Sequence, residues 1–255
     1  MSLTYLEIDQ ARADYLELSD ELRQTFDDRL FQSWLYHDHM LEGVVLTESD
    51  INRALTGRPC RNYCDGLVQK SLRRMMGCIR QLETDASRGV DVSMDWLKDL
   101  HRSMCDADDE HAGRYRKRDT SPGVYHLDVV PYKSISYYFH KFLEEWDAEL
   151  STVHPIRAAA MAHWEFMRVF PFDERTGIVG RLMMNYILIK NFYPPAIIHA
   201  NDRHHYFDAL NGHRADMVPV VVEAMKGTIE AARIFRQRVE QQRMQQQSHR
   251  HQIAM

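Results

Sequence analysis

The chain has 255 residues, of which 44% are hydrophobic and 27% charged, a composition typical of a soluble globular protein with a substantial core. A formal net charge of −5 and a pI of about 6.3 exclude a dominant basic surface, so we do not expect nucleic acid as a main partner. No signal core or membrane-length apolar window is present, so we expect a cytoplasmic protein without a membrane partner, although export by a secretion system would leave no trace.

Helical periodicity dominates the N-terminal part of the chain. Leucines over 16–22 predict an opening helix, and a second helix is predicted over Asp27–Leu41. The second helix should end at Gly43, because glycine commonly terminates helices. Thr47 has the properties of an N-cap for a short third helix that runs to about Leu55.

The cysteines bear on whether the chain holds a metal. Cys60 and Cys64 form a C-x3-C pair, while Cys78 and Cys105 are isolated. A zinc site would need two more ligands at a suitable spacing, and the neighbouring sequence does not supply them. We therefore expect reduced structural thiols and no structural metal.

Helical patterns continue through most of the remaining chain. Helices are predicted at 62–88, from 94 onward, and at 134–150, 154–168, 177–190, 202–210 and 216–236. The helix over 177–190 is apolar nearly all round, which is typical of a central buried helix.

The segment before Pro131 departs from this pattern. Val124–Val130 is rich in β-branched and aromatic residues and is bounded by turn residues, which predicts a short exposed β-hairpin or flap. The predicted fold class is therefore mainly α with a small β-hairpin. We divide the chain into N-terminal helices at 1–60, a core domain at 61–240 and a flexible tail at 241–255 that is rich in Gln, His and Arg.

The loop over 170–176 leads directly into the predicted central helix. Free amides at a helix N-terminus bind anions, and Gly177 would let a ligand approach them. Arg181 lies one turn inside the helix, where a buried guanidinium needs a carboxylate or phosphate partner. Glu174 could offer an oxygen to a hard cation on such a phosphate. A phosphate site and a purely structural ion pair both explain this pattern.

A longer set of motifs resembles the Fic (Fido) family of AMP-transferring proteins, whose pattern is HPIxxAAxxHxxFxxIHPFxDGNGRxxRLLMN. The matching residues begin at His154-Pro155-Ile156, continue through Pro171-Phe172, and end at Gly180-Arg181-Leu182-Met183-Met184-Asn185. The resemblance covers about residues 30–235. It implies a Fic-fold helical bundle whose flap holds target segments. The flap residues expected to dock a target or regulatory protein are Val124, Tyr125, Leu127 and Val129.

The resemblance assigns roles by position. The catalytic histidine of the family falls on Phe170, whose phenyl ring cannot accept a proton, so no catalytic residue is intact. The first motif arginine falls on Ile178, whereas the second is retained as Arg181.

The remaining motif positions imply nucleotide contacts. The acidic residue that holds magnesium in the family falls on Glu174, and Thr176 stands where the family usually has asparagine. With Gly177 and Arg181, these residues form the expected nucleotide or phosphate site, and Mg-ATP is the expected cofactor.

Asp38-His39-Met40-Leu41-Glu42-Gly43 resembles the inhibitory-helix pattern (S/T)xxxE(G/N) of many Fic proteins, with Asp38 in place of Ser or Thr. In the family, this glutamate pairs with the second motif arginine. Our hypothesis is a Glu42–Arg181 ion pair, and the alternative is that Glu42 is a solvated acid at a helix end.

Three functions stay open at this point. The first is a degenerate Fic protein with residual nucleotide binding and a regulatory role. The second is an active nucleotidyl transferase that uses His126 or His213 as the base, whereas His163 is expected to be structural. The third is a nucleotide-free interaction module that pairs the strand Val124–Val130 with a partner. A homodimer also stays open.

Overall fold

The computed structural model describes residues 3–59, 63–148 and 152–253, which form ten α-helices and no β-strand. The predicted mainly α fold is confirmed. The helices are α1 Leu3–Leu16, α2 Asp20–Leu41, α3 Glu48–Thr56, α4 Tyr63–Ser87, α5 Met94–Met104, α6 Ile135–Ala148, α7 Pro155–Val169, α8 Thr176–Lys190, α9 Arg203–Asn211 and α10 Met217–Ile253.

Helix α8 forms the centre of the bundle. Every residue from Thr176 to Leu188 is buried, as its nearly continuous apolar sequence predicts. Helices α4, α5 and α7 pack directly on it, and α10 packs against α7. The first residues of α8 therefore lie in the interior, and a polar group placed there must find partners within the protein.

Two helix ends shape the region around the start of α8. Helix α2 ends at Leu41, and Gly43 forms the turn that follows it. Its φ of 84° lets the Gly43 amide donate to Met40 and the Val44 amide donate to His39. Helix α7 ends at Phe170, which adopts a left-handed conformation with φ of 45°. These two turns direct Glu42 and the loop before α8 toward the same part of the core.

The predicted β-hairpin is wrong. Within the described residues, 123–126 form a turn, in which the amides of Tyr125 and His126 both donate to the Pro122 carbonyl, and 127–130 are irregular. Tyr125 and Leu127 are buried, because these alternate positions point into the helical core. Their backbone pairs with no second strand in the part of the chain that the structure describes. The apolar alternation that predicted a strand reflects this inward packing.

The buried side chain of Arg116 joins this loop to the end of α7. Its guanidinium donates to the carbonyls of Phe170 at 2.8 Å and Arg118 at 3.0 Å, and also to the Val130 carbonyl. The Arg116 amide donates to the Pro171 carbonyl at 2.8 Å. One side chain therefore satisfies main-chain carbonyls from three segments that have no regular partners.

Three predictions fall partly outside these observations. Cys60 lies outside the described residues, so the C-x3-C pair is not assessed. The end of the predicted 134–150 helix also lies outside them, since α6 is described to Ala148. Helix α10 continues through the predicted tail to Ile253, and the flexibility of that segment stays a prediction.

Candidate functional site

Arg181 is the centre of a closed polar cluster. Its side chain is 2% exposed and forms an ion pair through Nε with Asp38 and another through Nη2 with Glu42, at 2.7 Å from Oε1. Its Nη1 donates to the hydroxyls of Tyr125 at 3.0 Å and Tyr206 at 3.3 Å. Two carboxylates and two phenols therefore satisfy the guanidinium within the protein.

The charge state of this cluster follows from its surroundings. Burial alone would lower the pKa of Arg181, but Asp38, the two tyrosines and Glu42 raise that pKa well above its usual range. Burial raises the pKa of Tyr125 well above its usual range. Arg181 is therefore charged, and the protonated phenol of Tyr125 donates its hydrogen bond to Glu42.

The same side chains pack against Gly177, the second residue of α8. A Cβ atom added to Gly177 would overlap the Tyr125 hydroxyl and Glu42 Oε1, and would lie 2.7 Å from Tyr125 Cζ. We call the amide of Gly177 and the guanidinium of Arg181 the anion site. In this conformation, Glu42 and Tyr125 bind the guanidinium and fill the space beside the Cα atom of Gly177.

Phe170 lies beside this site as part of the core. It is 7% exposed, and its ring meets that of Tyr125 edge to face at a centroid distance of 6.3 Å. Its carbonyl accepts a hydrogen bond from Arg116. A hydrocarbon ring therefore stands where the resemblance places a proton acceptor.

The other predicted nucleotide contacts point elsewhere. The Thr176 hydroxyl is buried and bonds to the amide and carbonyl of Phe172, at 3.1 and 3.0 Å. Glu174 is exposed on the loop, and Ile178 is 4% exposed in the core. The structure thus brings together Glu42, Gly177 and Arg181 of the predicted set.

The predicted docking residues divide into two groups. Tyr125 and Leu127 are 2% and 3% exposed, so their side chains face the core in this conformation, and their role in docking a target stays a prediction. Val124 is 36% exposed and Val129 is partly buried.

The three histidines weighed as bases differ in burial. His163 is fully buried with Nε2 2.9 Å from the Tyr206 hydroxyl, and burial lowers its pKa to about 3, so it is a neutral core residue. His126 is exposed next to Tyr125. His213 is exposed, and its Nδ1 accepts a hydrogen bond from the Ala215 amide.

Two members of the cluster were not predicted from the sequence. Asp38, which replaces Ser or Thr in the inhibitory-helix pattern, is a direct partner of Arg181, and Tyr206 is the other. One signal could have identified Asp38. Asp38 and Glu42 are four residues apart on one helix, so they share a face and can reach the same guanidinium.

The closed cluster is a test of whether Mg-ATP fits. A triphosphate cannot pair with the Arg181 guanidinium while the Tyr125 hydroxyl and Glu42 occupy its Nη1 and Nη2 donors. Across the described part of the chain, no three His, Cys, Asp or Glu side chains gather as metal ligands. The residues therefore do not fit the nucleotide in this conformation.

Known proteins show the same architecture. A Fic-domain signaling protein from Bacteroides thetaiotaomicron superposes with a TM-score of 0.77 at 17% identity, covering 90% of this chain and 98% of that one. Residues 134–508 of Fic-1 from C. elegans give 0.78 at 22% identity, with coverages of 90% and 70%. At these identities, the likeness shows the fold. Of the helices described, none is both long and apolar enough to cross a bilayer.

Sequence comparisons agree with the fold. The protein adenylyltransferase Fic of Nematostella vectensis is 27% identical over 214 residues, which cover 78% of this chain and 47% of that protein. The enzyme of the same name from Culex quinquefasciatus is 34% identical over 134 residues, or 51% and 26% of the two chains. The chain thus spans half or less of the length of these relatives. Residues 91–188 match the model of the Fic/DOC family. Over residues 91–188, which match the family model, the chain therefore has the sequence and the helical architecture of a Fic (Fido) domain.

Proposed function

We propose that this chain is a catalytically degenerate Fic-domain protein of the adenylyltransferase type, with a regulatory or partner-binding role and a residual phosphate site. The observation that carries the proposal is Phe170. Its ring occupies the position of the motif histidine and cannot accept a proton from an attacking hydroxyl.

The residual phosphate site is supported by Arg181 and Gly177. Arg181 is retained at the start of the buried helix, where it contacts Glu42 at 2.7 Å. This contact supports the inhibitory-helix hypothesis, because the glutamate occupies the donors that a phosphate would need. We expect weak binding of Mg-ATP by the wild-type chain and tighter binding after Glu42→Gly.

The second function, an active transferase with another base, has less support. The Nδ1 of His213 accepts a hydrogen bond from Ala215, and His126 is exposed to solvent. The nucleotide-free module has also lost its basis in strand pairing, since 124–130 form no strand. Partner docking, a homodimer, a cytoplasmic location and Mg-ATP as the nucleotide remain predictions.

Two measurements test the proposal. Incubation with Mg-ATP labelled at the α-phosphate should leave wild-type protein unlabelled, both on itself and on added target proteins. Label transfer by the wild type would overturn the claim of degeneracy.

Calorimetric titration with Mg-ATP tests the residual site. We expect Glu42→Gly to bind more tightly than wild type. The matched control is Glu223→Gln, which removes an exposed carboxylate on α10 that pairs with Lys226 and belongs to neither the cluster nor the loop before α8. Equal, undetectable binding in all three proteins would remove the phosphate site from the proposal.

The histidine position can be tested by restoration. Glu42→Gly combined with Phe170→His is compared with Glu42→Gly alone, so that the imidazole is the single difference. Label transfer in the combined variant only would attribute the loss of activity to Phe170. We leave Ile178 unchanged, because an arginine at this 4% exposed position would bury an additional charge.

A further inference from the structure

The hydroxyl of Tyr125 lies between Arg181, Glu42 and Gly177. It donates to Glu42 Oε1, accepts from Arg181 Nη1 at 3.0 Å, and occupies the space that a Cβ atom on Gly177 would take. A phosphate oxygen that paired with Nη1 of Arg181 would compete with this hydroxyl for the same donor.

Aromatic neighbours fix the Tyr125 ring on several sides. The ring of Phe207 lies edge to face at 5.0 Å, that of Phe170 at 6.3 Å and that of Tyr206 at 6.4 Å. Asn211 Nδ2 donates to the Tyr125 carbonyl at 3.1 Å, which anchors the main chain as well. Both the ring and the backbone of Tyr125 are therefore held in place.

Phe170 differs from these neighbours because it stands at the histidine position. Its phenyl ring gives Tyr125 an apolar wall in a 7% exposed environment, where edge-to-face aromatic pairs are favourable. An imidazole at the same place would bring two ring nitrogens that need partners. Phenylalanine at position 170 therefore lacks a proton acceptor and also gives the inward-facing ring of Tyr125 an apolar surface to pack on.

We infer that Tyr125 is a second, internal occupant of the anion site in addition to Glu42, and that Phe170 is the residue that positions it. One consequence of this inference rests on the proposed function: in a variant that lacks only Glu42, Tyr125 still fills part of the anion site. Its structural content, the placement of Tyr125 by Phe170, does not require a nucleotide.

Hydrogen exchange of the amides of Tyr125 and His126, which both donate to Pro122, tests the placement without nucleotide. We expect Phe170→Ala and Tyr125→Phe each to speed this exchange by about tenfold, the equivalent of one lost charge-assisted hydrogen bond or aromatic contact. Phe170→Leu should have a smaller effect. The matched control is Tyr137→Phe, because Tyr137 is 67% exposed on α6. Exchange that stays at the wild-type rate in both variants would overturn the inference.

Titration with Mg-ATP then tests the consequence. The double variant Glu42→Gly with Tyr125→Ala should bind at least about tenfold more tightly than Glu42→Gly alone. Equal binding by the two would overturn Tyr125 as a separate occupant while the phosphate site stands. Absence of binding in both, together with faster exchange, would reject the phosphate site and leave the placement of Tyr125 supported.

Discussion

Replacing Arg181 with methionine should destabilise the protein strongly, although methionine fits an apolar core. The change leaves the Asp38 carboxylate, 3% exposed, without its cation, whereas the 20% exposed Glu42 can still reach water. Breaking a buried pair by removing one partner costs about 3–5 kcal/mol. We expect a loss of about 4 kcal/mol, or roughly 10 °C in Tm for a chain of this size.

Urea unfolding followed by circular dichroism at pH 7.5 measures this loss. The combined variant Arg181→Met with Asp38→Asn should recover more than half of it, because the uncompensated charge is then absent. Glu223→Gln, which breaks an exposed pair with Lys226 at 2.9 Å, should cost less than about 1 kcal/mol.

The pH dependence of the single variant gives an independent check. Burial raises the pKa of Asp38 to about 6, and Arg181 acts in the opposite direction, so its removal raises that pKa further. A group whose pKa is raised by folding contributes stability at low pH that is lost as the pH rises. The deficit of Arg181→Met should therefore shrink between pH 7.5 and pH 5. A single variant that is as stable as the Glu223→Gln control, or a combined variant no better than the single one, would refute the buried-pair argument.

Three further outcomes are expected. Arg116→Lys should lower stability by about 2–4 kcal/mol in urea unfolding, since a lysine cannot serve carbonyls on three segments at once. Burial lowers the pKa of His101 to about 4 and that of His163 to about 3. As the pH falls below about 6.5, these two histidines bind protons in the unfolded chain but stay neutral in the folded one, so the folded state loses stability. His101→Asn should therefore reduce the loss of stability between pH 7 and 5 by about 2 kcal/mol. Gly180→Val should cost about 2 kcal/mol in thermal unfolding, because even a Cβ would lie 3.0 Å from a core phenylalanine, whereas Gly77→Ala, with open space, should be neutral or stabilising.

Local periodicity was sufficient to predict the helices from α2 onward and the central place of α8. The opening helix was placed wrongly, because the leucines over 16–22 span the break at 17–19 between α1 and α2. The period of apolar residues records which face of each helix is buried, and the nearly uniform apolar sequence of α8 leaves no face for solvent. The order of motifs around Phe170 and Arg181 was likewise enough to predict the Fic fold, because it depends on many positions at defined spacing. The need of Arg181 for a partner also followed from sequence, since an apolar helix buries its one guanidinium.

The tertiary structure alone decided which groups meet that guanidinium. Asp38 and Tyr125 lie 143 and 56 positions from Arg181, and no local pattern specifies contacts between segments so far apart. The 124–130 segment shows the same limit. Its alternation of apolar residues is compatible with a strand or with an irregular loop that inserts every second side chain into a core. The surrounding helices select the loop, because they offer Tyr125 and Leu127 a buried site and offer the backbone no strand to pair with.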